Sequence, residues 1–373
     1  MPSSEHLKEA DRVMTICNAC RYCAGFCAVF PAMERRRTFD TKDLVYMSNL
    51  CFECRACFYA CQYAPPHEFG VNVPQALSRL RADTYEDYAW PRVLKGFYKN
   101  NAFLVGLVTT VCIVLAFVLT LAFQGSTTLF SAHQGSGAFY AVVPYGAMVF
   151  PASVMFFYAI FALLAGFVSF WRRTRGSISD LINLPAFARA MKDAFGLQYM
   201  KGGGDGCNYP DEKFSKSRMW HHHLVFYGFA LDFAATTVAA FYHHFMHWDA
   251  PYPYLSVPVI FGTVGGVMMC IGTVGLLYLK SKSDLEPAEE KMLSLDKTFL
   301  WMLFLTSFTG LLLLVFRETA AMGTLLVIHL GVVAGLFLTI PYSKFAHAVY
   351  RYAALIQNAI EVREDEESNI VLG

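Results

Sequence analysis

Beyond Asn100 the chain alternates long apolar stretches with short polar ones: Ala102–Phe123, Gly146–Trp171, His221–Phe245, Tyr254–Leu279, Thr298–Phe316 and Met322–Ile340 are the apolar runs. Each approaches the roughly 20 residues that carry a helix across a bilayer. The pattern predicts a mainly α protein with six transmembrane helices. Polar, charged sequence precedes them and gives way between Trp90 and Asn100, which divides the chain into a head (1–95), a membrane domain (96–345) and a tail (346–373). Within that tail Glu361 to Ser368 reads as a solvated charge run. The N-terminus is polar throughout, so no cleavable signal is visible.

The longest connection follows the second run. Asp180 to Gly196 carries helix signals, with Pro185 near its start and Gly196 as a C-cap, and reads as an amphipathic segment lying on the membrane surface. Lys201 to Cys207 is glycine-rich but lacks the spacing and terminal GK[ST] of a phosphate loop, so it reads as a flexible turn.

Composition agrees with the pattern: 55% of the 373 residues are hydrophobic and 16% aromatic, and the mean hydropathy is +0.38, above the soluble norm. The net charge is only +1, yet its distribution is one-sided. Neither the loop Gln124–Tyr145 nor the turn His247–Pro253 contains a lysine or arginine. The alternate loops contain Arg172, Arg173, Arg175, Arg189, Lys192, Lys201, Lys213, Lys216 and Arg218, then Lys280, Lys282, Lys291 and Lys297. That bias predicts a multi-pass protein of the bacterial inner membrane with head and both termini cytoplasmic. Arg317 alone breaks the rule. A bilayer is the expected surroundings, and no nucleic-acid partner is expected.

The head carries the chemistry. Cys17, Cys20, Cys23 and Cys27, then Cys51, Cys54, Cys57 and Cys61, each read C-x2-C-x2-C-x3-C, the ligand run of a bacterial ferredoxin. Ala28 and Gln62 stand where the usual motif has proline. In two-cluster ferredoxins the fourth cysteine ligates the other cluster, so two 4Fe-4S clusters are expected. One takes Cys17, Cys20, Cys23 and Cys61, the other Cys51, Cys54, Cys57 and Cys27. Zinc prefers two separated ligand pairs, and a disulfide framework suits secreted chains. Cys112, Cys207 and Cys270 are isolated and read as unpaired thiols.

Histidines gather at two depths of the membrane domain. His221, His222 and His223 open the third run and His243, His244 and His247 close it; His329 lies in the sixth, with His347 just past Pro341. Ionisable groups inside spans are functional candidates by default. His329 and His347 are eighteen residues apart, five turns of a helix, so both imidazoles can project from the same face. His222 and His243 lie roughly 60° apart around theirs. His222 and His244 lie about 40° apart, so either pair can face a neighbour. Depth matching sets a histidine of the 221–223 group level with His347 and one of the 243–244 group near His329; His222 with His347 and His243 with His329 are the pairs read as axial ligands of an inner and an outer haem b, so one or two haems are expected. Arg218 precedes His222 by four residues and Arg351 follows His347 by four, which puts each one turn from a ligand. They and Arg317 are candidate partners for haem propionates. Asp232, near mid-span, is a candidate to hold a histidine by hydrogen bond or to carry a proton.

With these features in place, the chain resembles the tricarballylate-utilisation protein B family, also called the citrate-utilisation protein B family. The carrying segments are CNACRYCAGFCAVFPA from Cys17, CFECRACFYACQYAPPHEFGVNVP from Cys51, HHLVFYGF from His222 and APYPYLSVP from Ala250. The resemblance implies a two-cluster ferredoxin-type head joined to a six-helix cytochrome b-type bundle. It also implies that the protein reoxidises the FAD of a soluble tricarballylate dehydrogenase and passes the electrons to membrane quinone. No chemistry on an organic substrate is expected of this chain. His329 before Pro341 and His347 is similar to the last helix of the gamma subunit of respiratory nitrate reductase, which ligates two b haems. Electron transfer from another flavoenzyme, a tricarboxylate transporter and a membrane redox sensor are the alternatives. A transporter predicts interrupted helices with paired basic residues at mid-membrane, and the runs contain no such pairs.

Overall fold

The computed structural model describes residues 2–174, 176, 177 and 179–372, with side chains to 368; Arg175 of the basic loops lies outside them. The chain is mainly helical. The head holds α1 (Ser4–Cys20), α2 (Val29–Glu34), α3 (Thr41–Leu50), α4 (Ala56–Tyr59) and α5 (Val73–Tyr88). Their starts are set by local chemistry: the Asp40 and Asp43 carboxylates form a capping box at α3, and Asn72 accepts the Gln75 N–H at 3.2 Å ahead of Pro74 in α5.

Six helices are long and apolar enough to cross a membrane: α6 (Asn101–Phe130), α8 (Tyr145–Arg173), α10 (Ser217–Met246), α11 (Val257–Ser281), α12 (Glu290–Phe316) and α13 (Met322–Thr339). Their outward faces expose large apolar side chains such as Phe103, Phe123, Phe150 and Phe157, as lipid-facing helices do. A multi-pass membrane protein follows. Short α7 (Ala138–Val142) lies between the first two, and α9 (Leu184–Phe195) follows the second.

Without a hydrophobic drive between helices in lipid, close packing comes from small residues. α10 and α11 pack most intimately. A Cβ added at Gly265 would stand 2.8 Å from the Gly228 carbonyl, and one at Gly272 2.8 Å from the His221 carbonyl. On the other side α13 packs on α6, where a Cβ at Gly331 would press on the Ile113 backbone at 2.6 Å.

The last span does not continue to His347. Proline cannot donate to a preceding turn, and the chain tightens into a 3₁₀ turn at Ile340–Tyr342 before α14 (Ala346–Leu372) begins. His329 and His347 are therefore on different helices, which removes the shared-face relation expected of them. Tyr98 Oη donates to the Pro341 carbonyl at 2.9 Å, Asn101 to that of Tyr342 at 2.8 Å, and Tyr342 Oη to that of Trp90 at 2.8 Å, tying this break to the head.

The segment after 345 is a packed helix rather than a solvated tail. Ala353, Ala354, Leu355 and Ile356 of α14 share one core with Leu77, Leu80 and Tyr85 of the head and Phe170 of α8. Even the charge run is engaged: Arg36 donates to Asp43 at 2.7 Å and pairs with Glu361, while Arg35 pairs with Asp365 at 2.6 Å. Arg36→Ala removes the cation shared by Asp43 and Glu361 at a half-buried joint, and should cost about 2–3 kcal/mol, somewhat less than a fully buried pair. A thermal midpoint in detergent equal to that of the parent protein would mean that α14 is not held there.

Candidate electron-transfer site

The two cysteine runs fold differently although their spacing is the same. Cys17 and Cys20 occupy the last turn of α1, which ends at Arg21 in the left-handed conformation (φ 57°). Cys51 caps α3; Glu53 (φ 55°) and Arg55 (φ 65°) then turn the chain so that Cys54 and Cys57 face inward.

Their thiols divide into two groups. Burial and the neighbouring Cys61, Cys23 and Cys20 push the Cys17 thiol up to about 12, and burial with Cys61 and Cys20 does the same to Cys23. Burial with Cys54 and Cys51 raises Cys27, and burial with Cys54, Cys27, Cys51 and, least, Cys23 raises Cys57. The fourth cysteine of each run thus stands among the first three of the other. Left to themselves such thiols stay protonated, so iron must displace their protons on binding.

A cavity of about 260 Å³, lined by Cys17, Cys20, Cys23, Cys57 and Cys61, opens in the first group. Among the described residues no three side chains of metal-binding type are close enough to share one ion. A cubane asks for something else, one thiolate on each of four irons. Backbone N–H groups of Val29 and Phe30 bond the Cys27 sulfur, and that of Ala56 bonds Cys54, hydrogen bonds of the kind that set cluster potentials. The arrangement fits two four-iron clusters.

Cys20 is exposed and Tyr22 beside it is 70% exposed, whereas Cys51 and Cys54 are buried. The second run faces the membrane domain. Cys207, which spacing left unassigned, stands beside Cys54. A two-strand ribbon (β1, Cys207–Asn208; β2, Phe214–Ser215) carries it there, with the Asn208 N–H donating to the Cys54 carbonyl at 3.0 Å.

Below this loop, His222 of α10 and His347 of α14 face each other with ring centroids 6.2 Å apart and planes at 90°. Two imidazoles sharing one iron have centroids separated by two metal–nitrogen bonds of about 2 Å each plus two ring radii, roughly 6 Å in all. His347 Nδ1 donates to the Lys344 carbonyl, which leaves Nε2 bare as an acceptor or ligand. His222 Nδ1 is buried with no hydrogen-bond partner among the described residues. These two residues fit a bis-imidazole haem. The other members of the trio do not: His221 Nδ1 bonds the Ser217 carbonyl at 2.8 Å with its ring against Gly275, and His223 turns toward Trp220 and Tyr227.

Among the described contacts none joins His243 and His329, the expected outer pair. His243 stacks on Tyr145 at 3.7 Å and pairs with Asp249 at 3.1 Å; His329 Nδ1 bonds Thr309 Oγ1 at 3.0 Å. The reason is packing, since α10 lies chiefly on α11 and α13 chiefly on α6. Asp232 Oδ2 meets only the Ser307 hydroxyl, at 3.5 Å, among its described hydrogen-bond partners.

The three arginines all have protein partners. Arg317 lies 3.6 Å above the Tyr254 ring and donates to the Tyr252 carbonyl at 2.6 Å, holding the α10–α11 turn. Arg218 donates to the Glu53 carbonyl at 2.7 Å and Arg351 to the Cys51 carbonyl at 2.8 Å. Arg81, fully buried, also donates to the Cys51 carbonyl at 2.7 Å and pairs with Glu53 at 2.8 Å. Burial opposes the Glu53 charge, but Arg81, Lys344 and Arg218 together outweigh it and hold the carboxyl at about 2.

Comparison with known proteins follows the same division of the chain. Residues 97–368 match the family described as citrate utilization protein B, and residues 10–87 match that family's Fer4-like domain. A protein of Escherichia coli named citrate utilization protein B is 45% identical over 365 residues, covering 97% of this chain and 94% of the relative. No solved structure matches.

Proposed function

The chain belongs to the citrate utilization protein B family, and on that premise we propose that it is a membrane electron-transfer protein reoxidising the FAD of a partner dehydrogenase. Two 4Fe-4S clusters and one haem b supply the one-electron steps when bound, with membrane quinone as the final acceptor. The observation that carries this reading is the order of ligand sets: a cysteine quartet with Cys20 exposed, a second with Cys51 and Cys54 buried, then His222 and His347 at the entrance to the bundle.

The residues themselves bind, orient and insulate. The thiols hold the iron, the Val29, Phe30 and Ala56 amides bond the sulfurs, and the Lys344 carbonyl fixes the His347 tautomer. A cytoplasmic head suits both thiolate chemistry and a soluble flavoprotein. The donor we propose is a dehydrogenase of a tricarboxylate, tricarballylate being citrate's skeleton without the hydroxyl. Its oxidation to cis-aconitate releases two electrons that one-electron centres must take singly.

Iron, sulfide and haem measured per purified chain, with a reduced-minus-oxidised optical spectrum, test the reading. We expect about eight non-haem irons, four in each of two clusters, and about one haem with b-type bands. Absence of those bands removes the membrane half of the proposal. Two haems per chain would require a second ligand pair that the observed contacts do not supply.

A further inference from the structure

Arg218 and Arg351 join two things that the chain brings together only on folding. Each lies one helical turn from a histidine of the facing pair, and each donates to a carbonyl of the Cys51–Cys54 loop. Neither closes an ion pair among the described residues. Arg218 lies over the Tyr209 ring at 4.9 Å and Arg351 over the Phe52 ring at 4.3 Å, and both are half-buried where the head meets the bundle.

Their contacts fall on one cysteine group: the Glu53 carbonyl beside Cys54 takes Arg218, and the Cys51 carbonyl takes both Arg351 and Arg81. Among the described hydrogen bonds neither Arg218 nor Arg351 reaches the Cys17–Cys23 segment. Arg21, the arginine nearest in sequence, is exposed and bonds back to Asn18. Buried positive charge favours the reduced, more negative state of a centre, and in low dielectric the effect is larger than at a surface.

Resting on the electron-transfer reading above, we propose that Arg218 and Arg351 are positioning residues that clamp the Cys51–Cys54 loop over His222 and His347 and bias electrons toward the second cluster. An electron passing between the clusters leaves one oxidised and the other reduced, with no bond made and no proton moved. The exposed first cluster is then the entry and the second the exit. The arginines expected to meet propionates serve the iron–sulfur side of the junction.

The test is an EPR-monitored redox titration of the full-length protein in detergent, with Arg218→Gln, Arg351→Gln and the corresponding lysine variants. Each glutamine variant should shift the partition of one electron at least tenfold toward the first cluster, about 59 mV for a one-electron couple. The lysine variants, which keep the charge, should stay within a few-fold of the parent. An unchanged second potential with both signals intact overturns the proposal, as does an equal shift of both clusters. If a glutamine variant loses its second cluster, the lysine variant decides: parental potential supports the bias, and a tenfold shift despite the retained charge overturns it. Absence of both cluster signals from the parent protein would instead defeat the electron-transfer reading.

Discussion

Cys27→Ser is expected to destroy the second cluster and spare the first, although Cys27 lies in the first cysteine run. The thiol of Cys27 stands with Cys54, Cys51 and Cys57, while Cys61 stands with Cys17, Cys23 and Cys20. A serine hydroxyl is a far poorer ligand than a thiolate for a soft iron–sulfur centre. Non-haem iron should therefore fall from about eight to about four per chain, and the residual EPR spectrum should match that of Cys54→Ser. Cys61→Ser should leave the complementary signal. If Cys27→Ser instead gives the spectrum of Cys20→Ser, each run closes on its own cluster and the crossed assignment is wrong. The functional consequence is equally sharp. Without the second cluster, haem reduction from a reduced flavoprotein should stop, because the first cluster faces solvent and the second lies over the histidine pair.

Much of this arrangement was legible in the chain, and the misses have physical causes. Spans are legible because a run of apolar residues in lipid has only one way to satisfy its backbone, a helix. The two cysteine runs are legible because the spacing within each is dictated by the size of a cubane. α14 was missed because its charged end was read alone; one face carries Ala353, Ala354 and Ile356 into the core while the other carries Glu361 to Arg36. The shared face of His329 and His347 rested on a continuous helix that Pro341 does not permit. Cys207 had no spacing signal, because a ribbon brings it to Cys54 from far along the chain. The arginines were placed correctly on their helices by the four-residue spacing. What lies opposite them, the Cys51 and Glu53 carbonyls, depends on how the head docks and has no signature in local sequence.

His347→Ala is expected to abolish haem binding, while His243→Ala and His329→Ala leave it in place. The difference follows from surroundings rather than from depth in the membrane. His347 and His222 face each other across 6.2 Å at right angles, with Nδ1 of His347 committed to a backbone carbonyl and its Nε2 left bare. His243 and His329 are each already engaged, with Asp249 and Tyr145 or with Thr309. Removing His347 leaves one axial ligand, so the b-type bands should vanish and haem per chain should fall from about one toward zero. Cluster EPR signals should persist, since no cysteine ligand contacts that ring, and quinone reduction should drop to background. His347→Met offers a finer check: a methionine opposite His222 can restore six-coordinate haem at a raised potential, as histidine–methionine ligation does in cytochromes c. Undiminished bands in His347→Ala, or their loss in His329→Ala, would move the haem away from the head. Electrons would then have to cross the depth of the bundle before meeting it, with nothing among the facing side chains of α10 and α14 to receive them.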